Sequence, residues 1–181
     1  MGTTMTGDVT LTPREIAMAA HVGVMRNITA LSAKLIPANG FNKEHAWNEH
    51  IEGACGEVAF AKLVNRYWMP SVNTFRAADI GLDIQVRTRS RHDYELIVRP
   101  SDNPEHVFVL VTGRSPNFRI RGYVFGREAR RDEWFRDHGG RPPAWFIPHD
   151  ELRPWEDLRM HCELPQQHDE MPFRRELEVG G

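Results

Sequence analysis

Glu57 closes the small-residue run Gly53-Ala54-Cys55-Gly56, and further along the chain Asp79-Ile80-Gly81-Leu82-Asp83-Ile84-Gln85-Val86-Arg87 carries four more polar side chains. Successive strand residues point to opposite sides, so a strand here sets Asp83, Gln85 and Arg87 on one face and Ile84 and Val86 on the other. Carboxylate and amide oxygens are ligands for a hard divalent cation, and a guanidinium neutralises a phosphate. Such a row can point several polar groups at one bound ligand. The plain alternatives are a solvated helix glutamate at Glu57, a turn shaped by Asp79 and Asp83, and a surface charge at Arg87.

The elements that must position these groups follow from pattern. Thr12-Pro13-Arg14-Glu15 offers an N-cap, a proline at the first helical position and a carboxylate three residues after the cap, which predicts a helix start. Ile16, Ala20, Val24, Ile28, Leu31 and Leu35 give it one apolar stripe, broken by Pro37-Ala38-Asn39-Gly40. A second helix is expected over about 45–68, with Ile51, Cys55, Val58, Ala59, Leu63 and Val64 inward and Pro70 as its stop. Gly53, Ala54 and Gly56 let another backbone come close.

Strands are expected over 83–88, 94–99, 107–112 and 119–125, most economically as an antiparallel meander. An amphipathic helix over 127–137 and a short apolar segment at 144–147 follow. Residues 1–152 read as one domain with an N-terminal helix, and 153–181 as an irregular C-terminal arm of scattered prolines and charges.

One core suits a chain of 181 residues, 40% hydrophobic and 27% charged. No apolar run reaches bilayer length and the first residues lack a signal-peptide pattern, so a cytoplasmic protein without membrane contact is expected. Cys55 and Cys162 lack zinc-site spacing, as do His45 and His50, and His161-Cys162 has no neighbouring ligands. The net charge of -2 argues against a uniformly basic surface. Nearly all the positive charge is arginine, since lysine occurs only at Lys34, Lys43 and Lys62. Arg119, Arg121, Arg127, Arg130 and Arg131, interleaved with Phe118, Tyr123, Phe125 and Trp134, are candidates for a nucleic-acid-binding surface. The competing reading buries the aromatic groups and leaves the arginines in solvent.

The order helix acid, turn acid, polar strand resembles the PD-(D/E)XK nuclease superfamily. GACGE, DIG, QVRT, LIVRP and GYVFG are also similar to segments of phage-encoded proteins. The resemblance implies an α/β fold, restriction-endonuclease-like, with a mixed central sheet flanked by helices. It implies a catalytic set of Glu57, Asp79, Gln85 and Arg87 with Mg²⁺ or Mn²⁺; Asp83, two residues before Gln85 on the same strand face, is expected to join Glu57 and Asp79 in holding the ion. The implied activity is a DNA-binding hydrolase, a metal-dependent endonuclease cutting phosphodiester bonds in a bacterial host cytoplasm, with a homo-oligomer or a phage protein as further partners.

Two departures stand out. Gln85 offers an oxygen without charge where the pattern has an acid, and Arg87 cannot accept a proton where the pattern has lysine. The alternative expectation is therefore a catalytically inactive nuclease-fold protein, a binding or structural component of a phage or mobile-element assembly.

Overall fold

The computed structural model describes residues 7–33, 46–72, 78–81, 83–139 and 142–161, with side chains to 158 in the last segment. Leu35, the Pro37–Gly40 break, His45 and Cys162 lie outside them. Strand β1 (Asp8–Thr10) leads into helix α1 (Pro13–Ser32), and α2 (Ala46–Leu63) follows. The start of α1 is the expected capping box: Thr12 N–H donates to Glu15 Oε2 at 2.6 Å and Glu15 N–H to Thr12 Oγ1 at 3.3 Å.

The buried line of α1 is Ala19, Val22, Gly23 and Asn27 rather than the expected stripe, and Ile28 and Leu31 are exposed. Gly23 explains the rotation. A Cβ there would stand 2.6 Å from Ile51 Cα and 2.8 Å from the His50 carbonyl, so the missing side chain sets how closely α1 lies on α2. Helix α2 ends before Pro70 because Asn65 takes a left-handed conformation at φ 54°, which asparagine tolerates.

The central sheet contains β2 (Ile84–Arg89), β4 (Val107–Arg114) and β5 (Asn117–Phe125) in the order β1-β5-β4-β2. It is mixed: β1–β5 and β5–β4 are antiparallel, whereas β4–β2 is parallel. The expected meander is thereby corrected. The segment after β2 leaves the sheet, supplies β3 (Leu96–Val98) to a second sheet, and returns as a crossover, which lets β4 run parallel to β2. The second sheet, entirely antiparallel, has the order β3-β7-β6, where β6 is Phe135–Arg136 and β7 is Ala144–Ile147.

Where a mixed sheet flanked by helices is expected, α1 and α2 gather on one face of it. Helix α2 packs on one face of the central sheet and α1 packs on α2, while the second sheet covers the other face. Strand β4 is buried from Val107 to Gly113, as a strand covered on both faces must be. Val107, Val109 and Val111 join α2 in the larger core; Phe108 and Leu110 join Leu96, Val98, Val124, Ala129, Trp134 and Ile147 in the smaller one.

No helix spans 127–137. Turns lead to a single 3-10 turn at Asp132–Trp134 and then β6, because the buried anchors Ala129 and Trp134 are five residues apart and share no helix face. In the stretch expected to be irregular, Arg153 bridges to Tyr123 and α3 (Trp155–His161) buries Trp155 and Leu158 in the larger core. Residues 162–181 lie outside the described part.

Candidate functional site

Gly56 places Glu57. A Cβ at position 56 would overlap the Thr88 hydroxyl, so the glycine brings α2 directly against β2 and sets the next residue into the interface between helix and sheet. Glu57 is 5% exposed there. Such a carboxylate needs partners, and three donors supply them. Arg26 of α1 grips both oxygens, Nη1 to Oε1 at 2.5 Å and Nη2 to Oε2 at 3.0 Å, and Trp68 Nε1–H donates to Oε2 at 2.9 Å. Arg26 is itself aimed by its Nε–H, which donates to the Ser71 carbonyl at 2.8 Å. Burial opposes the charge on Arg26, yet the bonds to Glu57 hold its pKa above the ordinary arginine value.

Asp79 sits at the start of a tight reversal in which Ile80 bridges Ile84, and its Oδ2 accepts the Val86 N–H at 2.7 Å. Burial raises its pKa, and the charge of Glu57 raises it further; the Val86 N–H and the charges of Arg87 and Arg26 oppose the rise, leaving it at about 7. Glu57 and Asp79 are therefore brought into one buried electrostatic cluster. The same cluster reaches His50, whose pKa falls through burial and the nearby Arg26 charge.

Gln85 and Arg87 belong to the other side of β2. Register pairs Gln85 with Phe108 and Arg87 with Leu110, residues of the smaller core, while Ile84 and Val86 face α2. The Arg87 guanidinium lies 5.2 Å from the Phe108 ring centroid, and its Nη2 donates to Asp102 Oδ1 at 2.9 Å. Asp83 is half-buried, and its carbonyl accepts the Val107 N–H at 2.9 Å. Among the described residues no group of three His, Cys, Asp or Glu side chains stands out as able to hold a metal ion.

A divalent ion does not fit this donor set as arranged. Both Glu57 oxygens are already bonded to a guanidinium, one Asp79 oxygen serves a backbone amide, and Gln85 emerges on the far face of the strand.

Four of the candidate nucleic-acid arginines hold side-chain partners. Arg119 pairs with Asp8 at 2.6 Å, Arg127 with Glu105, and Arg131 with Glu133 at 3.6 Å and Glu151 at 3.5 Å while lying over the Trp134 ring. Arg121 Nη2 meets His149 Nδ1 at 3.1 Å. Arg130 differs: it packs over the Trp145 ring at 4.9 Å, and its Nη2 donates to the Asp102 carbonyl at 2.5 Å.

Arg26, Trp68 and Asp102 were not singled out from sequence. Arg26 was within reach, since it falls three and four residues beyond Gly23 and Val22 on the α2-facing side of α1. Asp102 gave no such signal inside the polar Pro100-Ser101-Asp102-Asn103 turn.

Fold and site together define a mixed α/β chain with an acid–arginine cluster on the helical face of its central sheet and an arginine–aromatic cluster between its two sheets. No protein-family model matches the chain, and neither a curated protein nor a solved structure does.

Proposed function

We propose that this chain is a DNA-binding protein with a nuclease-like order of elements whose acidic site is locked in an ion pair, so that it binds without cutting. The observation that supports the absence of cleavage is the two-pronged Arg26 grip on Glu57. A buried ion pair of this geometry costs about 3–5 kcal/mol to break by removing one partner, which opposes the exchange of Arg26 for a cation. DNA as the partner follows from the motif resemblance and from the arginine-rich composition, and a role inside a phage or mobile-element assembly follows from the resemblance alone.

Two measurements test this. Fluorescence anisotropy with a labelled duplex, repeated from about 50 to 200 mM salt, should show affinity falling steeply as counterions are released, and Arg130→Ala with Arg131→Ala should weaken it. A supercoiled-plasmid assay with Mg²⁺ and Mn²⁺ should show no nicking for the natural chain or for Asp79→Asn. Metal-dependent nicking that Asp79→Asn abolishes would restore the endonuclease reading. Absence of binding at the lowest salt would remove DNA as the partner.

A further inference from the structure

On the face of β2 away from Glu57, cationic side chains gather around the single turn 99–102. Arg87 donates to the Asp102 carboxylate at 2.9 Å and Arg130 to the Asp102 carbonyl at 2.5 Å. The other Asp102 oxygen accepts the Arg99 backbone N–H at 2.8 Å, which fixes the carboxylate in place. The Arg99 guanidinium stands near enough to feel the others: its pKa is lowered by burial and by the charge of Arg87, with Asp102 opposing. Phe108 lies beneath Arg87 and Trp145 beneath Arg130, so the charges are held against aromatic faces rather than spread through water.

Three donors in this cluster are buried without a hydrogen-bond acceptor among the described residues: Arg87 Nε, Arg130 Nε and Trp145 Nε1. Each buried donor left unmade costs about 1–3 kcal/mol. Several surface arginines elsewhere in the chain meet carboxylates outside this cluster, as Arg119 meets Asp8 and Arg127 meets Glu105. Here Arg87 and Arg130 share one acidic residue, and Arg130 reaches only its carbonyl. The Arg87 side chain remains 23% exposed, so the cluster opens to solvent along one edge.

We infer that Arg87, Arg130 and Trp145, organised by Asp102, form a binding site for a phosphate group. A phosphate offers several anionic oxygens in a compact tetrahedron, which matches planar guanidinium donors, Arg87 from β2 and Arg130 from the connection after β5, and the indole N–H of Trp145 in β7. Bonding to that oxyanion supplies acceptors for donors that have none and offsets the charge of closely spaced arginines. The site deepens the DNA-binding reading, where it would hold a backbone phosphate, but it stands without it, because inorganic phosphate or a nucleotide presents the same chemistry.

The test follows the arginine Nε–H resonances by nitrogen–proton correlation spectroscopy during titration with inorganic phosphate, assigned through Arg87→Lys and Arg130→Lys. Signals from Arg87 and Arg130 should shift in a saturable way at millimolar phosphate or below, while that of Arg127 stays in place. Arg130→Gln should weaken phosphate binding tenfold or more, and Arg91→Gln, at an arginine paired with Asp93, should leave it unchanged. Equal shifts at all three arginines, or none, would overturn the site even if Arg130→Gln failed to fold, because that comparison uses the natural chain. A duplex oligonucleotide that displaces phosphate ties the site to DNA. Phosphate binding that DNA does not displace keeps the site and removes the DNA reading, whereas DNA binding unaltered by Arg130→Gln and by added phosphate removes the site and keeps DNA.

Discussion

Asp79 is a residue whose protonation differs between the folded chain and the unfolded one. Folded, it takes up a proton at about 7, and unfolded it does so near the ordinary value of 3.8. Between those values the folded state binds more protons than the unfolded state, so this residue's contribution to stability falls as pH rises through the window. The full penalty above neutrality is on the order of 4 kcal/mol, at about 1.4 kcal/mol per unit. Asp79→Asn keeps an oxygen for the Val86 N–H and discards the charge. Urea unfolding at pH 5, 6, 7 and 8 should show the natural chain losing stability relative to Asp79→Asn as pH rises. Parallel curves would mean that Glu57 and burial do not act on Asp79 in this way. The acids that lie below their ordinary values, such as Asp8 beside Arg119, act in the opposite direction and at lower pH, and the comparison with the variant cancels them.

Contacts between elements in this chain are set by two glycines that look alike in sequence and differ in what they face. Gly23 looks onto the backbone of α2 at Ile51 and His50, which cannot give way, while Gly56 looks onto the Thr88 side chain, which can be shortened. Gly23→Ala and Gly56→Ala should each destabilise by about 1–3 kcal/mol, the usual range for overpacking. Only the second should be rescued by a partner change, with Gly56→Ala/Thr88→Ala recovering most of the loss in chemical denaturation. Equal recovery of Gly23→Ala by Thr88→Ala would show that the effect is not contact at all. The close approach at Gly56 was legible in the run Gly53-Ala54-Cys55-Gly56, and so was the helix start at Thr12, because both are local. Strand positions were legible through alternation, yet pairing was not: nothing in Leu96-Ile97-Val98 announces departure to a second sheet, and that departure is what turns β4 parallel to β2. The same blindness split the candidate site. Alternation correctly put Gln85 and Arg87 on one face of their strand, but only tertiary packing decides that Glu57 lies beyond the other face. Trp155 and Leu158 went unread for want of a third apolar turn, although packing buries both.

The molecule is built around β4, whose side chains divide between its two cores, Val109 and Val111 toward α2 and Phe108 and Leu110 toward the second sheet. Sharing a strand couples the two halves. Loss of packing on either face loosens the hydrogen-bonded wall on which the opposite face depends, so the halves should open as one unit. Val109 and Leu110 are adjacent, fully buried and face opposite ways, which makes them the natural pair of probes. Leu110→Ala should cost about 2–5 kcal/mol through cavity formation, and Val109→Ala somewhat less because fewer carbon atoms are removed. Native-state hydrogen exchange then separates coupled from independent halves. With coupling, either variant lowers protection of the amides in α2 and β5 and of those in β3 and β7 by a similar free energy. Leu110→Ala that loosens β3, β6 and β7 alone, with α2 and β5 as protected as before, would make the second sheet a separately opening flap. A flap of that kind would bear directly on the phosphate site, since Trp145 and Arg130 stand on the second-sheet side and Arg87 on the central sheet. A bound oxyanion spanning them would then close it, and added inorganic phosphate should restore protection to β7 before any other strand.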